Sequence, residues 1–247
     1  SGRAVRLRLL PAPAEHGIRF ARTDVGVEIP ATLAHIGSQD HATTLTRDGV
    51  SIGTVEHLLA TLAGLGVDDV RVEVDGPEVP VLDGSAAPFV ILLHEAGLRP
   101  LAVPRLHLRV IEPVEVVHGA KRARLVPSDH FEVAYSIGFD HPLLRHQAFA
   151  LRVTPRSFTE TIAPARTFGF LREVEMLRKS GLALGGSLEN AVVIGETGVL
   201  NNKLRFEDEF VRHKILDAVG DLALLGHPLA GRLEATKAGH ARHAAVG

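Results

Sequence analysis

Short stretches that alternate polar and apolar residues come in adjacent pairs along this chain, and that pairing limits the fold more than any other feature. Arg6 to Leu10 alternates and stops at Pro11-Ala12-Pro13; Gly17 to Ala21 alternates again before any helical period begins. Leu106 to Val117 is strand-like, and Lys121 to Val126 and Glu132 to Ile137 alternate as the first pair does. A doubly wound parallel sheet needs a helix between successive strands, whereas here strand follows strand. The pattern predicts an α+β fold of two related halves, residues 1–104 and 105–247, joined near Arg99 to Pro104. Arg6-Leu7-Arg8-Leu9-Leu10-Pro11 has a weak echo in Arg122-Ala123-Arg124-Leu125-Val126-Pro127.

Helices fall between these pairs. Leu58, Leu59, Leu62 and Leu65 recur with helical period, which predicts a helix over 55–65 with Thr54 as its N-cap and Gly66 closing it. Asp69 to Val74 follows as a strand with Val70, Val72 and Val74 on one face. Ser85 and Pro88 open a second helix that runs through Phe89, Leu92 and Leu93 to Gly97. Further on, a helix from about Arg172 to Lys179 leads to strand-like Ala191 to Ile194. The last helix runs from Glu209 to Leu225 and ends at Gly226-His227-Pro228. With aromatics at 4% and no Trp, the core has to be built from Leu, Val, Ile and Ala.

Bulk chemistry removes several functional classes. The formal net charge of -2 gives no support to nucleic acid or a bilayer surface as the main partner. Cysteine is absent, so a metal site must use His and carboxylates, and a reducing cytoplasm fits. No run of about 18 apolar residues exists to span a membrane. The start, Ser1 to Arg8, alternates too strictly for the apolar block of a signal peptide and reads as a sheet edge, as if the chain began inside structure.

Against that background one helix stands out. His213 and Asp217 are four residues apart, so on a helix they share a face one turn apart, and Asp221 continues the stripe. The bland reading is a solvated face with an i,i+4 pair, and spacing alone does not separate the two. Lys214 beside His213, Asp221 one turn on and His240 in the Gly-flanked Lys237-Ala238-Gly239-His240 loop favour a site. An imidazole and a carboxylate are two-thirds of a catalytic zinc site, and Glu56-His57 at the head of the first helix offers a third ligand with a base beside it. A lone His there is more often a capping or core residue. The His-x-x-x-His pair of common metalloproteases is missing, which argues against an ordinary protease. Thr167 offers a hydroxyl to a developing oxyanion, but on sequence alone a Thr at a strand end or helix N-cap is the commoner reading. Gly185-Gly186-Ser187 lacks the spacing of a phosphate loop and reads as a turn. His141 and His146, at i,i+5, read as an exposed loop.

Longer motifs resemble a known family. Thr54-Val55-Glu56-His57-Leu58, Glu73 to Pro80, Asp83 to Phe89, Ala165-Arg166-Thr167-Phe168-Gly169-Phe170, Leu204 to Lys214, Asp217 to Leu222 and Lys237 to His240 are similar to UDP-3-O-acyl-N-acetylglucosamine deacetylases over nearly the whole chain. The resemblance implies two similar βα layered-sandwich domains packed face to face with zinc between them. It also implies the committed, cytoplasmic step of lipid A synthesis in a Gram-negative bacterium, on an acylated UDP-amino sugar. By motif, His57, His213 and Asp217 hold the metal and Glu56 activates water. Thr167 stabilises the oxyanion, His240 oriented by Asp221 is the cationic partner or acid, and Lys214 meets substrate oxygens. The 173–194 segment resembles an acyl-chain passage lined by Val174, Ala183, Ser187, Ala191 and Val193. Lys121, Phe139, Phe170 and Lys237 match positions near the nucleotide. Iron is an accepted alternative to zinc for such ligands, and a monomer is expected.

Two departures accompany the resemblance. The family's first strand pair and its Gly-x-Gly-Leu-His-Ser-Gly segment are represented only by Ser1-Gly2, which predicts an unpaired sheet edge. After His240 the family continues Ala-Leu-Asn, whereas this chain has Ala241-Arg242-His243, so the contacts closing the His240 loop are expected to differ. The rival readings are a zinc amidohydrolase on another substrate and a silent sugar-nucleotide or lipid-binding relative.

Overall fold

Alternation becomes sheet in the first third of the chain. The computed structural model describes residues 2–246 apart from 41, 180, 182, 201 and 202; Ser1, part of the expected sheet edge, lies outside the described residues. Strands β1 (Leu7–Pro11), β2 (Ile18–Arg22) and β3 (Val27–Pro30) precede the hairpin β4 (Leu45–Arg47) and β5 (Val50–Ile52), then helix α1 (Glu56–Leu65), β6 (Val70–Val74) and α2 (Ala87–Ala96). The sheet order is β1-β6-β2-β3, with β6 antiparallel to β1 and parallel to β2. Val70, Val72 and Val74 point inward together, as their period of two requires.

The second part has more strands: β7 (Leu108–Arg109), β8 (Val114–His118), β9 (Lys121–Val126), β10 (Phe131–Ile137) and β11 (Gln147–Arg152). Next come α3 (Pro155–Ser157), which runs into a π-helical turn over Phe158–Ile162, then β12 (Phe168–Phe170), α4 (Leu171–Lys179), β13 (Val192–Ile194), α5 (Glu209–Leu222), β14 (Leu229–Thr236) and α6 (His240–Val246). The main sheet runs β11-β10-β14-β9-β8, with β7 on β14, while β12 and β13 form a small parallel pair. Strand follows strand through most of the chain, and β12-α4-β13 is a parallel pair crossed by a helix; the whole is an α+β fold. No described helix is long and apolar enough to cross a membrane.

The two echoed segments are both strands, but β1 sits at the edge of its sheet whereas β9 lies inside its own. Leu106 to Val117 is not one strand. The segment breaks between β7 and β8, where Pro113 has no N–H to give to a ladder.

Two glycines set how α1 sits. Nine of its ten residues are buried, which explains why its apolar residues are not confined to one stripe. A Cβ on Gly220 of α5 would overlap the Glu56 carbonyl, so the two helix backbones touch there; a Cβ on Gly64 would overlap the Phe158 ring. The helix ends as expected at Gly66 in the left-handed conformation, with Val67 N–H donating to the Leu62 carbonyl at 2.8 Å. Its start differs from expectation. Val55 is the N-cap, with no side-chain cap, and Thr54 has φ 57°, so its hydroxyl is turned away from the capping role.

Candidate metal centre

The backbone contact at Gly220 brings ligand-type side chains from α1 and α5 face to face. His57 Nε2 lies 3.7 Å from Asp217 Oδ1, and His213 Nε2 lies 3.4 Å from the same oxygen. The two imidazoles stand edge to face with centroids 4.9 Å apart, and the three ligand atoms all fall within 4.8 Å of one another. Tetrahedral ligands at about 2.0–2.1 Å from a zinc ion are themselves about 3.3 Å apart, so these nitrogen and oxygen atoms are spaced as such a set requires. All three residues are buried, where a solvated helix face would be exposed.

Protonation suits a cation. Burial pushes the His57 imidazole down to about 3, helped by His213, and burial also lowers His213; both are therefore neutral. Burial opposes charge on Asp217, but Lys214, His213 and His240 outweigh it and hold the carboxyl well below its usual range. His213 Nδ1 donates to the Ala165 carbonyl at 3.0 Å, which fixes the tautomer and leaves Nε2 to coordinate. Lys214 Nζ donates to Asp217 Oδ2 at 2.8 Å and leaves Oδ1 facing the imidazoles.

Glu56 is buried beside this set. Burial pushes its carboxyl up to about 7, while His240 pulls the other way. The Thr43 N–H donates to Glu56 Oε2 at 3.0 Å, and the Thr43 hydroxyl donates to Asp221 Oδ1 at 2.5 Å, so one residue aims both carboxylates. Asp221 Oδ2 accepts from His240 Nδ1 at 2.8 Å. Burial opposes the charge on His240, but Asp221, Asp217 and Glu56 raise it to about 9; burial likewise resists ionisation of Asp221, which His240 nonetheless draws down to about 2. Residue 240 is not in a loop: it is the first residue of α6, directly after Gly239.

Thr167 immediately precedes β12 and is fixed by its backbone, its N–H donating to the Gly84 carbonyl at 2.8 Å and its carbonyl accepting from Val192. Phe168 then links the centre outward. Its ring lies 6.3 Å from His213 and 6.2 Å from Phe139, which in turn meets Phe170 at 5.5 Å. Lys214 Nζ sits 5.6 Å above Phe168. Val174 on α4 is half-buried and packs over Gly169, and Val193 in β13 is buried. Ala183 and Ala191 are half-buried and Ser187 is exposed. Positions 180 and 182 of the same segment lie outside the described residues. Lys237 is exposed, with its side chain running against Gly138, and Lys121 stands exposed at the β8–β9 turn, one residue before Arg122, which pairs with Thr236.

His141 corrects the expectation of an exposed loop. It is buried, its Nε2 donates to the Gly195 carbonyl at 2.8 Å, and its ring lies 5.8 Å from Phe170. His146 is exposed as expected.

A family model described as UDP-3-O-acyl N-acetylglycosamine deacetylase matches residues 1–247. The chain belongs to that family. A UDP-3-O-acyl-N-acetylglucosamine deacetylase of Myxococcus xanthus is 54% identical over 98% of this chain and 78% of its own length. Enzymes of the same name from Syntrophotalea carbinolica and Pseudomonas entomophila are 52% and 51% identical over 97% of the chain, covering 79% and 81% of their own lengths. The protein is therefore an enzyme of the hydrolase kind.

Several parts of this candidate site carry no local signal in the sequence. Thr43 lies in an ordinary Ala42-Thr43-Thr44 run, and the carbonyl of Ala165 has no side chain to announce it. Arg166 forms a buried pair with Glu209, at 2.8 Å from Nε to Oε1, and Arg205 N–H adds a bond to Oε2 at 2.7 Å. This pair ties the segment that leads through Thr167 into β12 to the first turn of α5. His243 also reaches Asp221, at 2.8 Å.

Proposed function

We propose that this deacetylase is a zinc-dependent hydrolase that removes the N-acetyl group from UDP-3-O-(3-hydroxyacyl)-N-acetylglucosamine, giving acetate and UDP-3-O-acyl-glucosamine. The reaction is the committed step of lipid A synthesis, and the setting is the cytoplasm of a Gram-negative bacterium, with the protein acting as a monomer. The reading rests on one juxtaposition: three ligand atoms within 4.8 Å of one another, with Glu56 the residue next to ligand His57.

His57 and His213 through Nε2 and Asp217 through Oδ1 hold the cation, zinc in the first place and ferrous iron as the alternative. When bound it supplies Lewis-acid polarisation of the acetyl carbonyl and a water of pKa about 7. Glu56, raised by burial toward neutrality, takes the proton of the attacking water and is poised to return it. Thr167 donates to the developing oxyanion. His240, kept cationic by Asp221, stabilises the collapsing tetrahedral centre or protonates the departing amine. Lys214 meets substrate oxygens. Phe139, Phe170, Lys237 and Lys121 receive the nucleotide. Val174, Ala183, Ser187, Ala191 and Val193 line the acyl passage. The substrate lies between residues 1–104 and 105–247, treated as two layered units.

Acetate release tests this directly. Purified protein with zinc is expected to turn over the acylated UDP-sugar far faster than UDP-N-acetylglucosamine without the acyl chain. Chelation should abolish release and added zinc or ferrous ion should restore it. Equal rates on the two sugars remove the acyl passage, and activity that survives chelation removes the metal.

A further inference from the structure

Asp221 carries one more partner than its role in holding His240 requires. Its Oδ2 accepts from His240 Nδ1 and from His243 Nδ1, each at 2.8 Å, while Oδ1 accepts from Thr43 at 2.5 Å. On the far side of the second imidazole, His243 Nε2 lies 3.0 Å from the Tyr135 hydroxyl. Asp221, His243 and Tyr135 are all buried, so these contacts are made without competing water.

The hydrogen atoms can be assigned from the inventory of donors. An ionised carboxylate only accepts, so both imidazoles donate through Nδ1. The remaining His243 nitrogen then accepts, and the phenol O–H donates to it. The chain is continuous and directed: Tyr135 O–H to His243 Nε2, His243 Nδ1–H to Asp221, and His240 Nδ1–H to the same oxygen. With only Thr43 and His240, one donor would hold each oxygen and the carboxylate plane could rock about the line joining them. A third donor, fixed from behind by β10, removes that freedom.

We propose that His243 is a positioning residue: held by the Tyr135 hydroxyl, it locks the Asp221 carboxylate in the orientation that anchors His240. This rests on the assignment of His240 and Asp221 to the deacetylation reaction above. The charges that act on His240 are Asp221 and Asp217 from α5 and Glu56 from α1, with Tyr135 on β10 reaching it only through His243.

His243→Leu and His243→Asn separate donation from packing, because both lose the ring and the Tyr135 contact while only the Asn amide can still donate to Asp221. In the zinc-loaded protein, His243→Leu is expected to lower kcat about tenfold with KM unchanged. Left to one imidazole, Asp221 binds His240 more strongly. The His240 titration and the basic limb of kcat/KM should therefore rise by roughly half a unit, given that two or three donors lower a carboxylate by about two units. His243→Asn should restore both. Equal behaviour of the two variants, or a wild-type profile for His243→Leu, overturns the proposal. The His240 imidazole is followed by NMR, so the lock is tested even if no acetate is released; loss of acetate release in wild type counts against the proposed function alone. Should His243→Leu fail to fold, Tyr135→Phe takes its place. It frees the tautomer and should move the His240 titration the same way by a smaller amount, and an unchanged titration overturns the lock.

Discussion

In the proposed reaction the α1–α5 seam and the stretch from α4 to β13 serve one site by opposite means. In the seam, backbone meets backbone at Gly220, and His57, His213, Asp217, Asp221 and Glu56 are all buried. Directed bonds hold His213, Asp217, Asp221 and Glu56 in place before any ligand arrives. From α4 to β13 the packing is thin: α4 has no buried residue, and β12 and β13 pair over three residues each. Reaction chemistry tolerates little misplacement, since its groups must sit within hydrogen-bond reach of the reacting atoms. Recognition of a long apolar chain is non-directional and scales with area. The contrast teaches that rigidity is concentrated where geometry matters to the bond being broken.

Breaking the seam chemically should give the largest effect. Glu56→Gln keeps the shape and the Thr43 contact but removes the base, so turnover should fall by about 10²–10⁴-fold while binding of a non-hydrolysed analogue persists. Calorimetric titration alongside kinetics checks this, and loss of binding as well would show that Glu56 mainly holds the site together. Breaking the seam sterically comes next. Gly220→Ala must push α1 from α5, an overpacking that typically costs about 1–3 kcal/mol, so its melting temperature should drop by several degrees and its zinc affinity should weaken. Gly198→Ala, just beyond β13 and with open space around it, is the matched control and should be silent in both.

On the thin side, Val174→Phe is expected to shift preference toward shorter acyl chains with little change in melting temperature. Each methylene excluded is worth roughly 0.8 kcal/mol, about fourfold in relative kcat/KM. An unchanged chain-length profile would detach α4 from recognition.

The smallest effect concerns pH. His240 is raised from 6.5 to about 9, so its pairing with Asp221 stabilises the fold fully below about 6.5 and is lost as pH rises through 9. Asp221, lowered from 3.8 to about 2, contributes fully above about 3.8 and loses its contribution as pH falls through 2. Melting temperature should therefore be less alkali-sensitive in His240→Gln than in wild type, and equal alkali sensitivity would remove His240 as its source.

What the sequence made legible divides along physical lines. Local geometry was readable: His213 and Asp217 share a helix face because of their spacing, and paired strands announce the α+β fold by their period of two. Buried partners distant in sequence were not. Thr43 and Asp221 are 178 residues apart, and no propensity predicts a contact of that span. Backbone groups such as the Ala165 carbonyl have no side-chain signature at all. Thr54 misled for a different reason, since a capping residue type in the left-handed conformation aims its hydroxyl elsewhere. His141 misled because its i,i+5 spacing from His146 suited no shared metal, while its ring is satisfied by the Gly195 carbonyl on Nε2 and the Leu143 N–H on Nδ1, partners that no spacing announces.

Helix α1 is stopped at both ends, by Gly220 against its first turn and by Phe158 against Gly64 near its last. Sliding it by one residue would drive a side chain into one of those stops. Between those stops it spans about 12 Å, so a disturbance at the π-helical turn that carries Phe158 would reach the Glu56–His57 end through one rigid element. Residues far from the reacting bond thereby share responsibility for its alignment.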